Sequence, residues 1–342
     1  MTTTSSNSLS EASETASIDI THPPLDQSGL ENVANFRDVG RNYNVDADGN
    51  RDESTALREG NLYRSARLDD ATPEDVKVLQ SRYNIKTVID LRSDLERKEC
   101  DHVASTFLFS AIEEEVQDEL SPMHTRKSSC FQTQVLPEEF TNGKRTRYSI
   151  EFAGEDFRKY SVWRPLGVLT KLKVIALMIL RQKPRAVQMV GEEVIAPKGL
   201  PGLYRDFVDY CGNEIVQALK LMSVPENYPV LVHCTQGKDR TGIVIALALT
   251  CANIPLEQIL LDFSRSQKGL ASQRDTMVME MAKAGLDPTF SDAPENVMRD
   301  TFGYIVDKYG SVEEYLESKG FGKIWRERLK ACLTASEGGT QE

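Results

Sequence analysis

The chain contains no Cys-x-x-Cys pair, and His22, His102 and His124 do not fall at metal-ligand spacing. The usual signatures of a zinc module are therefore missing, and no metal site is expected. Six cysteines in 342 residues are too sparse for a disulfide scaffold. No run of eighteen uncharged apolar residues occurs, so no membrane-spanning helix is expected. Met1 to Ser10 is rich in Ser and Thr and has no apolar h-region, so no secretory leader is expected either. These absences fit a reducing, cytoplasmic setting, in which a free thiol survives. Basic residues are also short: 41 Lys and Arg against 52 Asp and Glu leave a net charge of -11. Such a chain has nothing to steer it toward a polyanion, and no nucleic-acid partner is expected. No internal repeat is present.

The remainder reads as a globular domain, with 40% apolar and 27% charged residues. Residues 1–28 are polar and cannot bury enough surface to offset ordering entropy, so a disordered tail is expected there, with a second at 334–342. The domain between, 29–333, carries signals for alternating strands and helices. Thr72-Pro73-Glu74-Asp75 opens a helix running to about Tyr83, with Thr72 as cap and Asp75 answering it. Lys86–Leu91 and Pro229–His233 are short, apolar and β-branched, as buried strands are. Residues 203–222 predict one amphipathic helix, and helices are expected at Thr241–Cys251, Pro255–Ser264, Ala271–Ala284 and Glu295–Tyr309. The capping box Ser311-Val312-Glu313-Glu314 opens another. Residues 112–150 are polar and read as irregular. Together with the stretch to about 200 they are expected to form an insertion, part of it helical and a candidate lid. This order of elements predicts an α/β fold with a mostly parallel central sheet.

The chemistry concentrates in His233-Cys234-Thr235-Gln236-Gly237-Lys238-Asp239-Arg240-Thr241-Gly242. A buried strand delivers Cys234 to the carboxyl edge of the sheet, and a helix follows at about Thr241. The loop between them can turn its N–H groups around an anion, reinforced by the helix N-terminus. The same field favours a thiolate at Cys234. Arg240, six residues on, can grip two phosphate oxygens at once. Thr241 is placed to donate to the sulfur. Thr235, Gln236 and Gly237 form the cradle, and Lys238 beside Arg240 adds positive field at its mouth. A nucleotide-binding reading of Gly237-Lys238 fails: Val232 stands where the first glycine is needed and Asp239 where Ser or Thr is needed.

A cysteine, five residues and an arginine, flanked by His and Thr, resembles the signature loop of the cysteine-dependent protein-tyrosine phosphatase superfamily. The fuller HCxxGKDRTG is similar to the bacterial and fungal atypical tyrosine/serine phosphatases. Asn35-Phe36-Arg37-Asp38, Arg64-Ser65-Ala66 and Asp90-Leu91-Arg92-Ser93 resemble that branch's further motifs, in the same order, and the likeness spans about residues 30–332. The resemblance implies a tyrosine-phosphatase-like fold and a two-step reaction through a phosphocysteine on Cys234, with neither cofactor nor metal. It implies a general acid inside the loop, Asp239. Asp90 stands second and Asp38 third, either being able to orient loop arginines instead. Arg37 and Asp90 are candidate ligand contacts, Arg37 equally a brace. His233 is expected to bond locally.

Two substrate classes follow: phosphotyrosine in proteins, extending to phosphoserine and phosphothreonine, and phosphoinositides. The second draws on residues 157–185, which hold eight Lys or Arg, no acid and an apolar centre. Such a stretch suits peripheral contact with an anionic membrane, or a lid helix with snorkelling lysines. A catalytically silent phosphate-binding module is a third reading, weakened by the presence of nucleophile, arginine, hydroxyl and acid together.

Overall fold

A computed structural model of the chain describes residues 28–42, 57–99, 111–113, 132–135 and 145–334. The expected tails at 1–28 and 334–342 lie almost entirely outside these residues, as do Cys100 and Cys130. Strands Arg37–Asp38 (β1), Leu62–Ser65 (β2), Thr87–Asp90 (β3), Ala111–Glu113 (β4), Gln132–Val135 (β5), Thr146–Ser149 (β6) and Val230–His233 (β7) form one sheet. Its order is β1-β2-β7-β3-β6-β5-β4. The centre is parallel, from β2 through β7 and β3 to β6, and the flanks are antiparallel. β2, β3 and β7 are buried at every position, which is why Val88-Ile89 and Val230-Leu231-Val232 run apolar without alternation. Register sets Ser65, His233 and Asp90 level with one another at the carboxyl edge.

β6 departs from the irregular reading of 112–150. Its sequence Thr-Arg-Tyr-Ser does not look like a core strand, yet Arg147 is buried because its guanidinium pairs with Asp90 on β3. A buried charge finds its partner across the ladder, a relation that no local pattern encodes.

Helix Pro73–Ser81 (α1) starts at the expected capping box. Thr72 Oγ1 accepts from Asp75 N at 3.1 Å and Asp75 Oδ2 accepts from Thr72 N at 3.0 Å. A short helix, Asp94–Glu99 (α2), follows β3. After a π-helical turn at Phe157–Trp163 come Val168–Ile179 (α3) and Lys183–Val190 (α4), which pack on each other as a hairpin. The helix expected over 203–222 is two, Gly199–Tyr210 (α5) and Gly212–Met222 (α6). They part at Cys211, whose backbone (φ -112, ψ 20) leaves the helical region before Gly212.

The signature loop leads into Asp239–Cys251 (α7), two residues earlier than expected. Thr241 to Leu249 are all buried, so α7 is the axis of the helical layer, contacted by α6, by Leu256–Gly269 (α8) and by the C-terminal helix. Arg274–Lys283 (α9), Glu295–Tyr309 (α10), Val312–Ser318 (α11) and Lys323–Leu333 (α12) complete the layer. No helix among the described residues is long and apolar enough to cross a membrane.

Candidate active site

Cys234 is the first residue past β7, 2% exposed and free of any disulfide. Five residues, Cys234 to Lys238, carry the chain from the strand to the first turn of α7. The tightest point is Gly237. Its φ is +62°, and a Cβ there would sit 1.9 Å from the carbonyl oxygen of Ser65. Only glycine meets both conditions.

The loop is held from behind. Asn35 Nδ2 donates to the carbonyls of Gln236 (3.0 Å) and Gly237 (3.1 Å), and Arg64 Nη2 donates to Gly237 O (2.7 Å). In a trans peptide the N–H points opposite to the carbonyl before it. Pulling those two carbonyls back toward Asn35 and Arg64 therefore turns the N–H groups of Gly237 and Lys238 the other way, toward the inside of the loop. Asp262 on α8 anchors the braces: Arg37 Nε donates to it at 2.9 Å and Arg64 Nη1 at 2.5 Å, while Ser266 Oγ accepts from Arg37 Nη2 at 3.1 Å. Burial pushes the Asp262 carboxyl up, but the two guanidinium charges outweigh it and hold the group well below the usual carboxylate range. Arg37 and Asn35 thus act behind the loop, with Arg37 as a brace.

Arg240 lies on the first turn of α7. Its fork is already engaged by Glu96 of α2, Nη2 to Oε1 at 2.6 Å and Nη1 to Oε2 at 2.7 Å. Thr235 Oγ1 donates to Glu96 Oε1 at 2.5 Å and lies 3.3 Å from Arg240 Nη2. Burial pushes Glu96 up, yet Arg240 and Thr235 prevail and hold it ionised, far below its ordinary value. Glu96 also accepts from Ser93 N and Ser93 Oγ, at 2.9 and 2.8 Å, so one carboxylate caps α2 and orients the arginine. Sequence reasoning did not find Glu96. Ser93-Asp94-Leu95-Glu96 carries a capping-box spacing, but nothing local announces a bond to Arg240, 144 residues on.

His233 and Asp90 flank the other side. Asp90 is fully buried and is gripped by Arg92 through Nε (3.0 Å) and Nη2 (2.9 Å), by Arg92 N (3.0 Å) and by Arg147. Burial works against its charge, but His233 and these arginines hold the carboxyl well below the usual range. Its oxygens are committed to arginines at the base of the site. His233 is pushed down by burial, hence neutral at pH 7, and its Nδ1 lies 3.1 Å from Cys234 O. Asp38 closes a turn, accepting from Gly40 N and Gly60 N at 2.9 and 2.6 Å.

Asp239 is the acid that remains near the loop, and its side chain is 24% exposed. Tyr204 of α5 donates to its Oδ1 at 2.8 Å. Lys238 was expected at the mouth. The structure turns it inward instead: it is 0% exposed, and Nζ donates to the carbonyls of Phe290 (2.7 Å) and Asp292 (2.8 Å), 3.4 Å from Asp239 Oδ1. An ammonium can be buried only with such partners. Thr241 is also fully buried, and its hydroxyl has no hydrogen-bond partner among the described residues, Cys234 included. No cluster of three or more metal-ligating side chains occurs among the described residues. A buried thiol, a forked cation and a partly exposed carboxyl group thus lie at one sheet edge over inward-turned N–H groups.

The model of the tyrosine phosphatase family matches residues 28–335. The chain belongs to that family. It is a hydrolase of the protein-tyrosine-phosphatase type, in the corresponding α/β fold. The triple specificity protein phosphatase PtpB of Mycobacterium tuberculosis is 25% identical over 329 residues, covering 89% of this chain and 98% of that protein. The inositol diphosphatase SIW14 of Saccharomyces cerevisiae is 26% identical over 194 residues, 56% of this chain and 66% of that one. The inositol diphosphatase DSP1 of Oryza sativa is 32% identical over 83 residues, 24% of this chain and 37% of its own length.

Proposed function

We propose that the protein hydrolyses phosphate monoesters in two steps through Cys234. The sulfur attacks phosphorus, the S–P bond forms as the ester P–O bond breaks, and Asp239 gives its proton to the departing oxygen. Water then attacks the phosphocysteine, Asp239 takes a proton from it, and phosphate and thiolate are released. The reading rests on Cys234 and Arg240 standing at the two ends of a loop whose N–H groups face inward. Arg240, oriented by Glu96, stabilises the equatorial oxygens of the transition state. The unpartnered hydroxyl of Thr241 is a donor available to the leaving sulfur.

Phosphotyrosine in proteins, with phosphoserine and phosphothreonine, is the first substrate class, in line with the family and with PtpB. A second reading, phosphoinositide at a membrane surface, is favoured by two observations. Relatives named inositol diphosphatases match the chain, which supports an inositol-phosphate group as substrate but not its attachment to lipid, and the α3–α4 hairpin exposes an apolar stripe. Val168, Leu172, Ile175 and Ile179 recur on one side of α3 and are 43% to 76% exposed. The acid-free segment around them holds eight basic residues. An apolar face in a cationic frame complements an anionic bilayer.

The test compares wild type with Cys234→Ser, in chelator, on a phosphotyrosine peptide, a phosphoserine peptide, soluble inositol phosphates and phosphoinositide vesicles. Activity that survives chelator and disappears in the variant is expected. Faster turnover on vesicles than on the same head group in solution would support the membrane reading, and equal rates would remove it. A variant as active as wild type would overturn the cysteine mechanism.

A further inference from the structure

We propose that Tyr204 is a positioning residue for the proton donor: by donating to Oδ1 of Asp239 it leaves Oδ2 as the oxygen that hands over the proton. The inference rests on the reading in which Asp239 is the general acid.

The geometry is specific. Tyr204 is 0% exposed, and its hydroxyl lies 2.8 Å from Asp239 Oδ1. Its ring is fixed between Phe207 of the same helix and Phe263 of α8, at centroid distances of 5.9 and 6.0 Å. Phe263 follows Asp262, the carboxylate that anchors the braces behind the loop, so donor and cradle share one support. Lys238 Nζ approaches the same Oδ1 at 3.4 Å, immobilised by two backbone carbonyls. The one hydrogen-bond donor and the nearest cation therefore both lie on the Oδ1 side. Oδ2 has no hydrogen-bond partner among the described residues.

A protonated carboxyl group has one carbonyl-type oxygen that accepts and one hydroxyl oxygen that donates. The Tyr204 hydroxyl on Oδ1, with the Lys238 charge on the same side, assigns that oxygen the accepting role and places the proton on Oδ2. After transfer, the same two groups stabilise the carboxylate, so they aid the step in which the proton leaves. Burial, with the Asp239 charge as a second cause, raises the Tyr204 phenol far above its ordinary value, so its proton stays available at any working pH. Tyr204 comes from α5, just beyond the stretch to about 200 expected as an insertion.

A buried tyrosine that merely satisfies its hydroxyl would give the same distance, and the leaving group separates the two roles. An acid matters most when the departing oxygen is a strong base and little when it is not. The experiment measures kcat/KM of wild type, Tyr204→Phe and Asp239→Asn on aryl phosphates ranging from p-nitrophenyl to phenyl phosphate, together with vanadate inhibition. Tyr204→Phe keeps the ring and its packing. We expect it to lose about tenfold on phenyl phosphate, the worth of one hydrogen bond to a charged group, and less than about twofold on p-nitrophenyl phosphate. Vanadate affinity is expected to stay at the wild-type level, and Asp239→Asn to steepen the leaving-group dependence further. A uniform loss across the series, or vanadate binding weakened in step with activity, would assign Tyr204 to packing and overturn the proposal. If Asp239→Asn left the dependence flat, the acid assignment itself would fall.

Discussion

Gly237 shows how much one residue governs. Its carbonyl accepts from both Asn35 and Arg64, and its Cα faces the carbonyl of Ser65 too closely for any side chain. Gly237→Ala must therefore move the loop away from β2 and turn its N–H groups off target. Misplacement of about 1 Å at a reacting centre costs on the order of 100-fold. Turnover of p-nitrophenyl phosphate is expected to fall by about that factor, with phosphate affinity falling too, and near-wild-type kinetics would contradict the account. The residues from Cys234 to Thr241 were legible because strand, glycine, arginine and helix start are all contiguous. Lys238 was misplaced at the mouth because a charge beside an arginine reads as surface. Its burial depends on the carbonyls of Phe290 and Asp292, more than fifty residues on.

Among the elements, α8 braces the loop from behind. Asp262 binds Arg37 and Arg64 at once, and Arg64 in turn holds the Gly237 carbonyl. Asp262→Asn keeps the shape and removes the charge, leaving two buried guanidinium groups short of an anion. Breaking a buried pair in this way costs about 3 kcal/mol or more. A melting temperature lower by several degrees is expected by calorimetry, with reduced activity at temperatures where the variant is still folded. An unchanged transition would show that the network carries no stability. The elements themselves were unevenly legible. α1 announced itself through Thr72 and Asp75, and β3 and β7 through apolar runs, because caps and buried strands are local in sequence. β6 and the break at Cys211 were not, since burial of Arg147 depends on Asp90 of a neighbouring strand. Tyr204 was hidden for the same reason: in an amphipathic pattern a tyrosine on the inner face reads as core, and only the fold brings Asp239 to its hydroxyl.

For the molecule as a whole, stability carries a pH signature from Glu214 on α6. Burial pushes its carboxyl up to about 7 from 4.5, and the charges of Asp156 and Glu151 add to the rise. The folded protein thus keeps a proton there that the unfolded chain releases near 4.5. Stability from this group is intact below that value, declines as pH rises to about 7, and stays reduced above it. Glu214→Gln removes the penalty. The variant is expected to melt higher than wild type at pH 8, by roughly 3 kcal/mol of stability, and to match it at pH 4.5. A pH-independent difference would exclude Glu214 as the source. The braces behind the signature loop answer to a different variable. Asp262, Arg37 and Arg64 are 5% exposed or less, so dissolved ions do not reach them. Counterions act across the open mouth, where attraction fades over a Debye length of about 8 Å at physiological ionic strength. Raising the salt therefore loosens the hold on an anionic ligand, while the cradle keeps one shape from dilute buffer to brine.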